Sequence, residues 1–444
     1  MAYKTIVPRA TIGDSSWFTH DRFGMFIHWG TYSLAARHEW YKSRSMVSTE
    51  EYMKYFNHFD PDLYDPNIWA DIAYEAGMKY FVITTKHHEG FCLWDSKYTD
   101  YKATNTPYGK DVLAPMVDAF RAKGLKTGFY HSLLDWYHPD YTVDSCHPMR
   151  ENEEYIAQDP QRDMNKYREY LYNQSEELMT KFGKIDILWY DFSVHEKEGS
   201  RFASKSKDVW QSQKIIDMVR SHQPGILIND RLDIPQDIIT PEQTMLKSCV
   251  KVDGQPVVWE ACQTFSGSWG YYRDEYTWKS VDMLVQMLID TVSKGGNLIL
   301  NVGPNGRGEF DPRAVERLKG IGKWMRLHNR SIYGCTQAPD EFVTPKDCRL
   351  TYNPETNRMY IHLFAWPFKY LILEGFYGKI KYAQLLNDAS EITYREIHPD
   401  ETNKKPENYG DVIRQQSAIP YATILELPVA KPDVTVPVIE LFLE

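Results

Sequence analysis

Short apolar runs recur along the chain, and each ends on residues able to do chemistry. Met25-Phe26-Ile27 runs into His28-Trp29-Gly30, and Tyr80-Phe81-Val82-Ile83 leads to Lys86-His87-His88-Glu89. Ile185-Asp186-Ile187-Leu188 leads to Trp189-Tyr190-Asp191, Gly225-Ile226-Leu227-Ile228 to Asn229-Asp230-Arg231, and Pro256-Val257-Val258 to Trp259-Glu260. Unbroken β-branched and aliphatic runs mark parallel strands buried on both faces. Such strands are predicted near 25–30, 79–85, 125–132, 185–191, 225–230, 256–262 and 297–303.

Between these runs the period becomes that of amphipathic helices. Ser48-Thr49-Glu50-Glu51 has the form of a capping box, and Asp65-Pro66 opens a segment that Gly77 closes. Residues 111–123 put Val112, Leu113, Met116, Val117 and Phe120 on one face; 278–294 do the same with Val281, Leu284, Val285, Leu288 and Val292. This alternation predicts an α/β fold, a (β/α)8-like TIM-type barrel, irregular because one strand of eight leaves no signature. Beyond about residue 335 the texture changes. Alternating strands at 349–352, 359–363, 370–373, 422–427 and 438–441, split by turns such as Asn353-Pro354-Glu355-Thr356-Asn357, predict a C-terminal antiparallel β-sandwich. The expected division is a catalytic barrel over 1–335 and a supporting sandwich over 336–444.

Composition narrows the function. An aromatic content of 14%, with 31 Tyr and 13 Trp, suits a cleft whose rings pack against sugar C–H faces, and equally a large core. A net charge of −10 and a pI near 5.8 give no basic footprint, which excludes nucleic acid and anionic membrane as expected partners. No apolar run reaches the roughly 18 residues of a membrane span, and no export signal follows the first residue, so a cytoplasmic protein is expected. The cysteines Cys92, Cys146, Cys249, Cys262, Cys335 and Cys348 lack CxxC or zinc-like spacing, which reads as reduced thiols without metal.

In a barrel, binding and catalytic groups gather at the carboxyl ends of the strands. The strand-end motifs, taken in order, resemble the retaining α-L-fucosidases of glycoside hydrolase family 29 from about Trp17 to Tyr333. The resemblance is carried by Phe23-Gly24-Met25-Phe26-Ile27-His28-Trp29-Gly30, Glu39-Trp40-Tyr41, Lys86-His87-His88-Glu89-Gly90-Phe91, Leu188-Trp189-Tyr190-Asp191, Asn229-Asp230-Arg231, Thr240-Pro241-Glu242-Gln243, Trp259-Glu260 and Asn301-Val302-Gly303-Pro304. It implies hydrolysis of terminal α-L-fucosides through a covalent fucosyl-enzyme, with no cofactor. A fucosylated oligosaccharide or glycoconjugate is the implied substrate.

Retaining hydrolysis needs two carboxyl groups about 5–5.5 Å apart, one a nucleophile and the other an acid/base. By resemblance the nucleophile is Asp191, which a strand end after two rings can hold rigidly. Glu242 of the Thr-Pro-Glu-Gln motif is the first choice for acid/base, and Glu260 is its rival or a partner that holds Arg231 or a His. His28, Glu39, Trp40, His87, His88 and Arg231 match positions that hydrogen-bond the sugar, Trp189 one that lines the pocket. His131 is added as a rim residue, on a strand where relatives often carry a second Tyr.

Two other readings compete. His28, His87, His88, His131 and Asp191 could serve a metal-dependent hydrolase, although adjacent His87 and His88 on a strand would point to opposite faces. A non-catalytic fucose-binding protein on a decayed scaffold would retain the pocket, yet here the carboxylates are intact. Linkage preference is expected to lie in the rim loops 136–163 and 193–208. The sandwich faces permit an oligomer without demanding one.

Overall fold

The computed structural model describes residues 3–398, 400, 407–409 and 419–444. Its parallel sheet contains β1 (Phe23–Ile27), β2 (Tyr80–Lys86), β3 (Lys126–Ser132), β4 (Ile187–Asp191), β5 (Leu227–Ile228), β6 (Glu260–Thr264) and β7 (Asn297–Val302). The order β5-β4-β3-β2-β1-β7-β6 carries the chain round in one direction. The edges β5 and β6 are joined through residues 237–243. Ile238 bridges Asn229, Ile239 bridges Trp259 and Glu242 bridges Cys262, all in parallel. The Cys262 N–H donates to Pro241 O at 3.1 Å and the Gln243 N–H to Cys262 O at 3.1 Å.

This segment takes the place of the strand that the sequence pattern does not reveal. Pro241 has no N–H for a ladder, so its pairing is reduced to isolated bridges. The strand expected at 256–262 is also displaced: β6 begins at Glu260, and the preceding residues pair with the irregular segment.

Alternate side chains of each strand enter two apolar layers. Phe26, Val82, Tyr130, Ile187, Trp189, Leu227, Cys262 and Ile299 fill the barrel interior. Met25, Phe81, Ile83, Phe129, Leu188 and Leu298 join the helices outside. Those helices include α1 (Pro66–Glu75), α2 (Leu113–Ala122), α3 (Met164–Lys181), α4 (Ser212–His222), α5 (Val281–Val292) and α6 (Pro312–His328). The Asn67 N–H donates to Asp65 at 2.9 Å, with Pro66 in the first turn of α1, and the Glu51 N–H donates to Ser48 at 3.2 Å. These are the expected caps.

The C-terminal strands are β8 (Thr336–Gln337), β9 (Cys348–Asn353), β10 (Arg358–Leu363), β11 (Tyr370–Glu374), β12 (Ile380–Leu385), β13 (Tyr394–Glu396), β14 (Ala422–Glu426) and β15 (Val438–Leu443). They form antiparallel sheets of order β8-β9-β10-β15-β12 and β11-β14-β13. Leu350, Ile361, Ile439 and Leu441 from the first pack against Leu371, Leu373 and Leu425 from the second. The sandwich is tied to the barrel where Trp324 Nε1–H on α6 donates to Val436 O at 2.9 Å. No helix among the described residues is long and apolar enough to cross a membrane.

Candidate active site

At the carboxyl ends of the parallel strands lies a cleft walled by Phe26, Trp40, Trp189, Phe192 and Trp269. Its polar groups are His28, His87, His88, Tyr130, Asp191 and Glu242, with Cys262 at one side. Asp191 ends β4 and is 14% exposed, whereas Glu242, on the irregular segment, is 42% exposed. Arg231 lies between them. Its Nη1 donates to Asp191 Oδ1 at 3.0 Å and its Nη2 to Glu242 Oε2 at 3.0 Å.

The guanidinium is itself fixed. Nε donates to Thr240 Oγ1 at 3.1 Å and Nη2 to Thr240 O at 3.1 Å, while Thr240 Oγ1–H donates to Asp230 at 2.6 Å. Its flat face lies 5.0 Å from the Trp189 ring centroid, a cation–π contact. Asp191 also accepts from Tyr130 Oη–H at 2.8 Å. Burial pushes the Asp191 carboxyl up to about 6; Arg231 opposes this, the Glu242 charge adds to it, and the Tyr130 hydrogen bond resists it.

Backbone geometry supports both carboxylates. Each is followed by a non-glycine residue in the left-handed region, Phe192 with φ 77° and Gln243 with φ 49°. Such conformations are sparsely populated and cluster where a side chain must be aimed. The turn after Asp191 swings the Phe192 ring to 5.2 Å from Trp40 and 5.2 Å from His88.

The histidines form one continuous set of rings. His28 and His87 lie 5.6 Å apart, His87 and His88 4.0 Å apart, and His87 stacks on Tyr130 at 5.7 Å. His88 Nε2 is 3.9 Å from Asp191 Oδ2. Burial lowers the pKa of all three, that of His28 to about 3, so they are neutral near pH 7. Adjacent His87 and His88 share the cleft because β2 ends at Lys86, where its register to β3 shifts. No group of three or more His, Cys, Asp or Glu side chains among the described residues is arranged to hold a metal ion.

Three sequence candidates stand outside the cleft lining. His131 is buried on the outer face of β3, its Nδ1 3.1 Å from Thr85 Oγ1 and its ring 5.9 Å from Trp94. The alternation of β3 turns Tyr130 inward, so the neighbouring tyrosine takes the place expected of His131. Glu39 is buried behind the wall, where the Gly270 N–H donates to Oε2 at 2.7 Å and fixes the loop carrying Trp269. Glu260 is 0% exposed inside the barrel. It accepts from Tyr80 Oη–H at 2.6 Å and Trp189 Nε1–H at 3.1 Å, and burial raises its carboxyl to about 7. That bonding occupies both oxygens beneath Trp189 and makes Glu260 a support for the cleft floor.

Sequence reasoning missed Tyr130, Phe192 and Trp269. The first had a signal, since strand parity with Trp189 puts Tyr130 on the inner face. Trp269 sits in Ser266–Gly270, a loop without strand pattern.

A larger hollow of about 940 Å³ separates the barrel from the sandwich near Met283, Met287, Phe342 and Phe364. Its buried carboxylate, Asp290, is taken up by Lys294 and by Arg349 at 2.6 Å. Both Asp290 oxygens are thus committed to cations, so the smaller cleft, where Asp191 and Glu242 meet at Arg231, is the site suited to catalysis.

Comparison with known proteins gives one direction. A family model described as Alpha-L-fucosidase matches residues 10–330. A solved structure, Alpha-L-fucosidase isoenzyme 1 from Paenibacillus thiaminolyticus, is 41% identical with a TM-score of 0.87, covering 97% of this chain and 98% of that one. A Bacteroides thetaiotaomicron α-L-fucosidase of glycoside hydrolase family 29 was solved as a trapped covalent intermediate with 2-fluoro-fucosyl fluoride. It is 28% identical with a TM-score of 0.80, covering 99% of this chain and 98% of that one. The Plasma alpha-L-fucosidase of Pongo abelii is 27% identical over 388 residues, 79% of this chain and 77% of the relative.

Proposed function

From the premise that this chain belongs to the α-L-fucosidase family, we propose that Asp191 is the nucleophile and Glu242 the acid/base of its reaction. The protein is an α-L-fucosidase, a glycoside hydrolase that cleaves α-L-fucosides with retention. Asp191 attacks the anomeric carbon while Glu242 protonates the departing oxygen, so the C–O bond to the aglycone breaks as the bond to Asp191 forms. Glu242 then takes a proton from water, which displaces Asp191 and frees fucose. A buried, rigid carboxylate suits the first role and an exposed one, free to exchange protons with the aglycone and solvent, suits the second.

The observation that carries this assignment is the Arg231 guanidinium touching both carboxylates at 3.0 Å. One planar cation engaging two carboxylates holds them as a neighbouring pair, the arrangement that a nucleophile and an acid/base acting on one bond require. Trp40, His28, His87 and His88 bind the sugar hydroxyls, and Trp189 stacks beneath Arg231. Glu39 and Glu260 act behind this wall. The barrel over 1–335 carries the chemistry and the sandwich over 336–444 braces it. Fucosylated oligosaccharides or glycoconjugates are the substrates, with linkage set by loops 136–163 and 193–208. The six cysteines are all unpaired, which supports a reducing compartment such as the cytoplasm.

The test is turnover of 4-nitrophenyl α-L-fucoside by Asp191→Gly with added azide. Restored turnover with formation of β-fucosyl azide supports the assignment. A variant that stays active without azide, or that yields α-fucosyl azide, refutes it.

A further inference from the structure

Two of the cleft histidines have their outer nitrogen already committed, and the committed bonds fix where each proton sits. A neutral imidazole carries one N–H and one bare nitrogen, and its partner decides which is which. His28 Nδ1 lies 2.6 Å from Asn301 Oδ1. The Asn301 amide cannot be reversed, because its Nδ2–H donates to Trp269 O at 2.6 Å. Oδ1 therefore faces His28, and an amide oxygen only accepts. The proton must be on His28 Nδ1.

His88 reaches the same state by a different partner. Its Nδ1 lies 2.6 Å from Ser132 Oγ. A hydroxyl has one hydrogen and two lone pairs. Ser132 gives its hydrogen to Leu134 O at 2.8 Å and accepts the Leu134 N–H at 3.0 Å. Turning that hydrogen to His88 instead would strip Leu134 O of its donor, so the capacity left on Ser132 is a lone pair and His88 Nδ1 donates to it. Its bare Nε2 then stands 3.9 Å from the Asp191 carboxylate oxygen. Two acceptors side by side in a buried cleft are satisfied together only by a group that donates.

We propose that Asn301 and Ser132 are positioning residues that lock His28 and His88 as Nδ1–H tautomers, so that the cleft meets the sugar with two bare Nε2 atoms. Fucose hydroxyls facing those rings are required to donate a hydrogen; a group that can only accept finds no partner there. Burial keeps both rings neutral, since the pKa of His28 falls to about 3 and that of His88 well below its usual value. The specificity that follows is for hydroxyls over isosteric acceptors at those two positions. It rests on reading this cleft as the fucose site.

The tautomers are read directly by nitrogen NMR of the wild-type protein with labelled histidine, the two rings being assigned from His28→Gln and His88→Gln. Both rings are expected to show a protonated Nδ1 and a bare Nε2 at pH 7. An Nε2–H form at either ring overturns the proposal whatever the protein binds. The ligand arm titrates wild-type protein with fucose and with its deoxy and deoxyfluoro analogues at each ring hydroxyl. Fluorine accepts weakly and does not donate. Two positions are expected where fluorine and hydrogen weaken binding alike, by about tenfold; fewer than two overturns the proposal. Failure of the wild type to bind fucose at all would instead refute the reading of the cleft, leaving the tautomer spectrum to decide this one.

Ser132→Ala removes the acceptor. An Nε2–H signal is expected to appear at His88, with fucose binding about tenfold weaker and the His28 signal unchanged. Ser132→Thr, which keeps the oxygen, is expected to restore both. A Ser132→Ala protein with His88 still Nδ1–H and wild-type affinity overturns the role of Ser132. A purely packing role would not move the tautomer signal. The wild-type spectra and analogue titrations stand even if that variant does not fold.

Discussion

Replacing Asp191 by Asn is expected to abolish turnover and, near neutral pH, to make the fold more stable. The carboxyl is raised from 3.8 to about 6 because it is buried at the end of β4, more than Arg231 and Tyr130 can offset. A carboxyl whose folded pKa exceeds its unfolded value is penalised in its ionised form. The penalty is absent below the unfolded value, grows as pH rises, and is complete above about 6. At about 1.4 kcal/mol for each pH unit of displacement, it reaches roughly 3 kcal/mol. Asn cannot ionise; it keeps its one oxygen for the Arg231 donor and turns its amide nitrogen to the Tyr130 hydroxyl, which then accepts, so it escapes the penalty. For a unit of this size the gain corresponds to a rise in Tm of roughly 3–5 °C.

The assay is calorimetric melting of wild type and Asp191→Asn from pH 4.5 to pH 8, beside turnover of an aryl fucoside. The variant should melt higher at pH 8, with the difference shrinking as pH falls through about 6. Its turnover should fall on the order of 10⁴-fold, as when a nucleophile is removed. A variant melting below wild type at pH 8, or a difference independent of pH, refutes the reasoning. Either result would mean that Arg231 stabilises the ionised carboxylate by more than burial disfavours it.

Tyr130→Phe removes a 2.8 Å hydrogen bond that favours the ionised Asp191, so the acid limb of kcat/KM, expected near pH 6 for the wild type, should move to higher pH by roughly 0.5–1; a pH–rate profile that stays in place or moves lower counts against the contact. Glu260→Gln can keep its oxygen for the Trp189 N–H and turn its amide nitrogen to the Tyr80 hydroxyl, which then accepts, and should keep activity within about threefold, whereas Glu242→Gln should lose on the order of 10²–10³-fold. Aryl fucosides of matched leaving-group pKa measure this pair, and the reverse ranking would move the acid/base role to Glu260. His131→Ala should lower stability by about 2–4 kcal/mol through lost packing outside the barrel and leave KM within about twofold; chemical unfolding and steady-state kinetics check both, and a selective rise in KM would return His131 to the cleft.

The parallel strands were most legible where both faces are buried. β1, β2, β4 and β7 are unbroken apolar runs, and their ends carry His28, His87, His88 and Asp191, which do converge. The irregular segment was illegible as a strand because Pro241 interrupts it, although Glu242, the acid/base proposed above, stands out through the motif around it. Period-2 alternation set the other limit. Composition does not say which of Tyr130 and His131 points inward; that follows from the pairing of Tyr130 with Trp189 across β3 and β4. Glu260 was expected within a strand as a rival acid/base or a partner of Arg231 or a His; that strand begins four residues later than expected, and the partners that take its oxygens, Tyr80 and Trp189, leave no signal in the sequence. Trp269 was beyond reach, since the loop that brings it to the cleft is held by Glu39, more than two hundred residues away in the chain.

The left-handed residues that follow the two carboxylates separate the chemistry from the surroundings that recognise the rest of the substrate. Phe192 and Gln243 each reverse the backbone within a single residue, so the aim of Asp191 and Glu242 is complete before the outer loops begin. The rim loops 136–163 and 193–208 can accordingly vary around a reactive centre whose aim is already set. Changing the exposed residues of those two loops would redirect the enzyme among aglycones while the bond-breaking geometry stays as it is, and a library confined to them, with the buried Lys205–Asp144 pair kept, is the economical route to new linkage preferences.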